Sequence, residues 1–196
     1  MGTSLVSVSD AGAVTSYGTI PGPYRVSMDY SFDDMAIAAN GNLYIFDGGA
    51  ITQVTDADLG TVLDVIWVDG YYMTTDGQYL VVTELGDPFS VNPLKYGSSE
   101  ADPDPIVALV KIRNEPYALN RYTIEVFDNI GGDLFPFARN EGAQIQKGCV
   151  GTHACCVYMD AVAFLGGGRN ETVSVYVGAN GGAAKIATDE IDTVLS

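Results

Sequence analysis

The segment GCVGTHACCVYMD, residues 148–160, gathers all three cysteines and the single histidine of the chain. Thiolates and an imidazole bind zinc or act as nucleophile and base, which makes Cys149, His153, Cys155 and Cys156 the first candidates for chemistry. Their spacing argues against both uses. Structural zinc sites take close pairs of ligands from two separate knuckles, whereas these residues lie on one apolar run that continues into Val157 and Tyr158. The run predicts a strand whose thiols are ordinary core residues. On that strand His153 and Cys155 share a face side by side, while a base normally approaches its nucleophile from a different element. No catalytic, metal-binding or cofactor-binding residue is expected.

Other motifs with chemical potential also reduce to turns. TDADLG and ADPDP are acidic, yet lack the alternating ligands, central Gly and terminal Glu of an EF-hand loop. The glycines at 166–168 precede no Lys-Ser and no helix, so they predict a hairpin turn and not a phosphate cradle. No GxSxG elbow occurs, and NET at 170–172 is a glycosylation sequon by pattern only. Acidic propellers include glycosidases, which keeps a carbohydrate-active or carbohydrate-binding propeller as the alternative function. Against it, the five arginines, Arg25, Arg113, Arg121, Arg139 and Arg169, share no common place in any repeat, and TTDGQY only loosely echoes an Asp-box turn.

Twenty-five acidic against nine basic residues give a formal charge of −16. Such a surface repels phosphate, so tight direct binding of nucleic acid is not expected. MGTSLVSVSD has neither a basic nor a continuous apolar leader segment, and no apolar stretch approaches the roughly 20 residues of a membrane helix, so no membrane partner is expected. The odd number of cysteines does not suggest a disulfide framework.

The elements that position these residues are strands. Met35 to Ala39, Leu43 to Phe46 and Ile51 to Val54 are separated by Asn40-Gly41 and Asp47-Gly48, a three-stranded meander with tight turns. Val62 to Val68, Tyr71 to Met73 and Tyr79 to Thr83 repeat the scheme around Asp69-Gly70 and Asp76-Gly77. A third unit takes Ile106 to Ile112, Tyr117 to Leu119 and Tyr122 to Phe127. A fourth takes Ala154 to Met159, Ala161 to Leu165, Thr172 to Val177 and Ala183 to Ala187. Units of this size with up to four short strands predict an all-β chain, a β-propeller or partial propeller of about four blades of short antiparallel strands within a single domain of residues 1–196. A two-sheet sandwich has a similar strand count and stays open from periodicity alone, although the likeness between units favours the propeller.

Residues 87–105 and 129–148 interrupt the pattern and read as long connections between blades. The first is rich in Pro and acidic residues yet carries Phe89, Leu94 and Tyr96, more apolar anchors than a disordered tether holds. Asp87, Phe89, Leu94, Tyr96, Asp102 and Asp104 are therefore the candidate partner-contact residues, the rings and Leu94 as anchors and the carboxylates as polar rim. Thr188 is an expected N-cap for a short C-terminal helix over DEIDTVL.

The order of motifs resembles a known family. DGYYMTTDGQYLVVTELGDPFSVNPLKYGSSEADPDPIVALVKIRNEPYALNRYTIEVF, AQIQKGCVGTHACCVYMDAVAFL, SVYVGANGGAAKIAT and DEIDTVL follow one another as in the packaged-DNA stabilisation proteins of short-tailed phages. The resemblance runs from about Arg25 to Leu195. It implies a β-propeller in a virion tail hub, made in the host cytoplasm, that closes the portal channel after DNA packaging. The partners implied are other tail proteins, namely a portal-side adaptor ring, a tail needle and a tailspike, with homo-oligomer assembly in the tail and no enzymatic activity. It also implies a longer chain, so about four units make an incomplete ring with two unpaired edges, which invite pairing with another sheet.

Overall fold

Alternating apolar residues separated by two-residue turns pair into antiparallel meanders because one period-two face of each strand must be covered. The computed structural model describes residues 3–22 and 25–195. A two-stranded hairpin comes first, β1 (Ser4–Val8) with β2 (Val14–Thr19). Four larger sheets follow in chain order. The first blade is β3 (Ser27–Tyr30), β4 (Met35–Ala39), β5 (Asn42–Phe46) and β6 (Ile51–Gln53); the second is β7 (Asp64–Val68), β8 (Tyr71–Thr75), β9 (Tyr79–Glu84) and β10 (Asp87–Ser98). The third is β11 (Ile106–Ile112), β12 (Glu115–Asn120), β13 (Ile124–Asn129) and β14 (Phe137–Arg139). In the fourth, β15 (Gly148–Cys149) and β16 (Cys155–Tyr158) both pair with β17 (Ala161–Gly167), which continues to β18 (Ser174–Ala179) and β19 (Gly182–Lys185). The first strands β3, β7, β11 and β16 pack against one another in sequence, the arrangement of a propeller's inner strands. The fold is an all-β propeller arc of four blades.

Apolar layers lie between successive blades. Ala36, Leu43 and Ile45 meet Val65 and Tyr72 between the first two; Ile66, Met73 and Leu80 meet Leu109, Ala118 and Phe127 between the next two. Leu119, Ile124 and Val126 meet Val162, Phe164 and Tyr176 between the last two. Each of the larger aliphatic and Phe side chains contributes roughly 1.5–3 kcal/mol on burial, so the sheets are held by their faces while polar contacts fix their alignment. Asn40-Gly41 and Asp69-Gly70 form two-residue turns with both residues at positive φ, whereas Asp47-Gly48 and Asp76-Gly77 sit in four-residue loops in which the glycine but not the aspartate has positive φ. Among the described residues no helix is long and apolar enough to cross a membrane.

Three expectations are corrected and one element was missed. Residues 87–98 are the outer strand of the second blade and not a connecting loop; only residues 99–105 connect. Pro88 and Pro93 are tolerated there because an edge strand needs no ladder N–H on its free side. Residues 129–148 are likewise not one connection, since they supply β14, a 3₁₀ turn over Glu141–Ala143 and the start of β15. The N-terminal hairpin was not anticipated. Finally, the thiols and imidazole do not lie on one strand: Val150 and Ala154 hydrogen-bond the same residue, Leu165, so Gly151–His153 bulges out between β15 and β16. The C-terminal helix α1 forms over Asp189–Leu195, and the Thr188 hydroxyl bonded to Glu190 lowers the pKa of that carboxyl.

Candidate functional site

Neighbouring inner strands are tied by a repeated contact. Asp29 Oδ2 on β3 accepts from the Trp67 N–H on β7 at 2.7 Å, and Asp64 Oδ2 on β7 accepts from the Leu109 N–H on β11 at 2.7 Å. Each carboxylate thus reaches from the inner strand of one blade to the backbone of the next. Further out, Asp56 Oδ2 accepts from the Val91 N–H at 3.0 Å. Between the third and fourth blades the tie is a hydroxyl, with Thr152 Oγ1 donating to the Val107 carbonyl at 2.7 Å. Charge-assisted bonds to backbone N–H groups are short and directional, so they set the angle between blades more sharply than apolar contact does.

Asp64 is nearly buried, 5% exposed. Burial raises its pKa above the ordinary carboxylate value, opposed by the Leu109 N–H, the Ser27 hydroxyl, the Val65 N–H and the nearby His153. A carboxyl with a raised folded-state pKa stabilises the fold below its unfolded pKa and loses that contribution as the pH rises through the folded value. Asp64→Asn is therefore expected to gain in melting temperature relative to the parent as the pH is raised from about 4 to 7. Thermal melts of the two proteins across that range check this, and a constant difference would refute it.

A second polar cluster locks the connection between the second and third blades. Glu125 is fully buried and accepts from the Ala101 N–H at 2.8 Å, with Asn120 Nδ2 at 3.4 Å and Arg139 at 3.5 Å. Asn120 Nδ2 also donates to Ser99 at 2.7 Å and Thr123 at 3.0 Å.

The six candidate contact residues divide into two sets. Phe89, Leu94 and Tyr96 stand 44%, 61% and 52% exposed on β10, an edge strand broken by two register shifts. Tyr96 packs edge-on against Tyr79, and Lys95 pairs with Glu84 at 2.5 Å. Asp87 is also exposed and accepts from the Phe89 N–H. Asp102 and Asp104 are engaged within the chain instead. Asp104 accepts from the Tyr122 and Thr123 N–H groups, and burial raises its pKa. Asp102 bonds Arg169 at 2.8 Å, and the guanidiniums of Arg169 and Arg121 each lie 4.9 Å from the Tyr122 ring. A connection can thus be acidic for internal reasons.

Of the thiols, Cys149 is buried, Cys155 half-buried and Cys156 exposed, and all are free. Cys149 and Cys155 touch across the bulge. The Cys155 hydrogen bond lowers the Cys149 pKa to about 7, while the same contact pushes Cys155 up. Among the described residues no cluster of three or more His, Cys, Asp or Glu side chains is placed to hold a metal ion. The clamps Asp29, Asp64 and Glu125 were not singled out from sequence. Their signal is an acid inside an apolar run, as in LDVIWV and TIEVF.

Comparison with known proteins extends these observations. Residues 1–196 match the Phage_stabilise family, described as bacteriophage P22 Gp10, beta-propeller. A curated relative, the tail hub protein gp10 of Salmonella phage P22, is 28% identical across 91% of this chain, which spans 41% of that protein's length. Two solved structures share the fold. PorZ, a surface component of the type-IX secretion system of Porphyromonas gingivalis, aligns over 97% of this chain and 26% of its own at a TM-score of 0.57 and 17% identity. The extracellular domain of BT4673 from B. thetaiotaomicron aligns over 96% of this chain and 27% of its own at 0.53 and 15% identity.

Proposed function

Because the chain belongs to the Phage_stabilise family, we propose that it is a structural component of a phage tail hub in the virion, working by contact with neighbouring tail proteins and not by catalysis. The observation that carries this is the family match over residues 1–196. In the finer form of the proposal, the hub closes the portal channel after packaging and joins a portal-side adaptor ring, a tail needle and a tailspike, as a homo-oligomer. The exposed strand β10 supports a contact role through Phe89, Leu94 and Tyr96, with Asp87 at its rim.

Retention of DNA is proposed to be mechanical. A grip on phosphates requires clustered cations, but Lys147, Lys185, Arg113 and Arg169 are each paired with a carboxylate of this chain, and the formal charge is −16. Closure needs only stiff joints and partner contacts. The experiment has two arms. Particles assembled without the protein should package DNA and then lose it, and purified chain should give no shift of duplex DNA at low salt. Particles that keep their DNA would overturn the tail role, while tight, salt-sensitive DNA binding would overturn mechanical closure alone.

A further inference from the structure

Cys149 closes β15 and Cys155 opens β16, the two strand segments that share one edge of β17. Cys149 pairs with Gly166 and Cys155 with Phe164, so the two thiols occupy successive positions on one face of that edge. Between them the chain loops out: the Val150 N–H donates to the Leu165 carbonyl, and the Leu165 N–H donates to the Ala154 carbonyl. Both thiols turn toward the loop. Cys149 Sγ donates to the Gly151 carbonyl at 3.3 Å and Cys155 Sγ to the Thr152 carbonyl at 3.7 Å. The sulfurs also meet each other, and they share the apolar layer between the third and fourth blades.

This geometry suits a covalent bond. Two positions along an antiparallel strand are roughly 6.8 Å apart, the upper end of the Cα separation that a disulfide spans. The remaining contraction falls on a loop with room to yield, since a Cβ built on Gly151 meets nothing within 4 Å. The two thiols are unequal. Cys149 is fully buried, and the S–H of Cys155 favours its thiolate, which is the nucleophilic form. Cys155 is kept a neutral thiol by the same contact and by burial, and it lines a cavity of about 330 Å³ together with Ser27, Asp64 and Thr152. That opening and the burial of Cys149 favour a reagent close to water in size over a bulky disulfide.

We propose that Cys149 and Cys155 are an oxidative modification site that takes hydrogen peroxide and closes to a disulfide. The Cys149 thiolate attacks one peroxide oxygen, the O–O bond breaks, and the departing hydroxide takes up a proton as water, which leaves a sulfenic acid on Cys149. The Cys155 thiol then attacks that sulfur. The S–S bond forms, the S–O bond breaks, and the hydroxyl leaves with the Cys155 proton as a second water. Two thiols are oxidised and one peroxide is reduced. The disulfide staples β15 to β16 across the loop that carries Thr152, whose hydroxyl ties the fourth blade to Val107 of the third. Cys156 pairs with Ala163, faces the other side of the sheet and takes no part. The proposal rests on register and thiol contacts, and does not depend on the tail role.

The test uses the full chain carrying Cys156→Ser, which removes the exposed competitor. Hydrogen peroxide is expected to remove about 2 Da per chain, the loss mapping to a Cys149–Cys155 crosslink that dithiothreitol reverses. Glutathione disulfide at the same concentration should close the pair at least about tenfold more slowly. With Cys155→Ser added, the reaction should stop at a Cys149 sulfenic acid, captured by dimedone as the chain is unfolded; with Cys149→Ser added, Cys155 should stay reduced. The crosslink itself is read without either added variant. The oxidised chain should melt about 5 °C above the reduced one. Sulfinic acid at Cys149 with no crosslink, a crosslink between two chains, faster closure by glutathione disulfide, or a melting temperature lowered by oxidation would overturn the proposal.

Discussion

Glu125→Ala is expected to lower the unfolding free energy by about 3–5 kcal/mol, read as a shift of the denaturant midpoint at unchanged slope. Three donors converge on this carboxylate, the Ala101 N–H, Asn120 Nδ2 and Arg139, and the side chain is 0% exposed. Truncation leaves the Ala101 amide and part of Asn120 without an acceptor where water cannot easily reach, and an unmet buried donor costs more than a met one contributes. Asn120 Oδ1 is already a buried acceptor without a donor, so the cluster is incompletely satisfied before any substitution. Glu125→Gln keeps one carbonyl oxygen in place and should cost distinctly less, about 1–2 kcal/mol. Equal losses for Ala and Gln would mean that the charge matters and the hydrogen bonds do not.

The second large effect is expected at Gly166. A Cβ placed there would sit 1.7 Å from the Gly148 carbonyl oxygen, a distance no rotamer or small shift relieves. Gly148 is itself wedged against the Asn120–Tyr122 turn of the third blade, with Tyr122 N only 2.3 Å from the Cβ it would carry. Retreat of β15 is therefore blocked from behind. Gly166→Ala should cost about 3 kcal/mol or more and strip β15 from β17. Cys149 is fully buried on β15 and would become open to alkylation under native conditions, whereas in the parent only the exposed Cys156 should react readily. A variant with parental stability and a protected Cys149 would refute the wedge.

What the sequence conveyed and what it hid follow from strand physics. The blades were legible because Asn40-Gly41, Asp69-Gly70 and Asp76-Gly77 punctuate alternating runs, and those runs became β4, β5 and β7 to β9. β10 was hidden by Pro88 and Pro93, residues that exclude a central strand but not an edge. β14 has three residues, too few for alternation to register. The hairpin β1–β2 alternates as plainly as its neighbours, in SLVSV and VTSYGT, but its two strands alone are shorter than the unit of blade length by which the others were recognised. In the opening motif Cys149 is the buried packing residue expected while Cys156 is exposed, and a looped-out Gly151–His153 cannot be distinguished from a continuing strand by residue type. Phe89, Leu94 and Tyr96 were legible as apolar residues out of keeping with a disordered tether, and they stand exposed on β10. For Asp102 and Asp104, proximity in sequence said nothing of Arg169, Tyr122 and Thr123, which claim them.

The packing of the N-terminal hairpin also sets an order of synthesis. Leu5 and Ile20 have their cover in Ile37, Tyr44, Phe46 and Ile51, so the hairpin stays uncovered until the strand that carries Ile51 has followed it from the ribosome. Each later blade is a local meander that buries its face against one already made. Folding along these residues would then proceed as a front that advances blade by blade, each sheet waiting for the next to cover its open face.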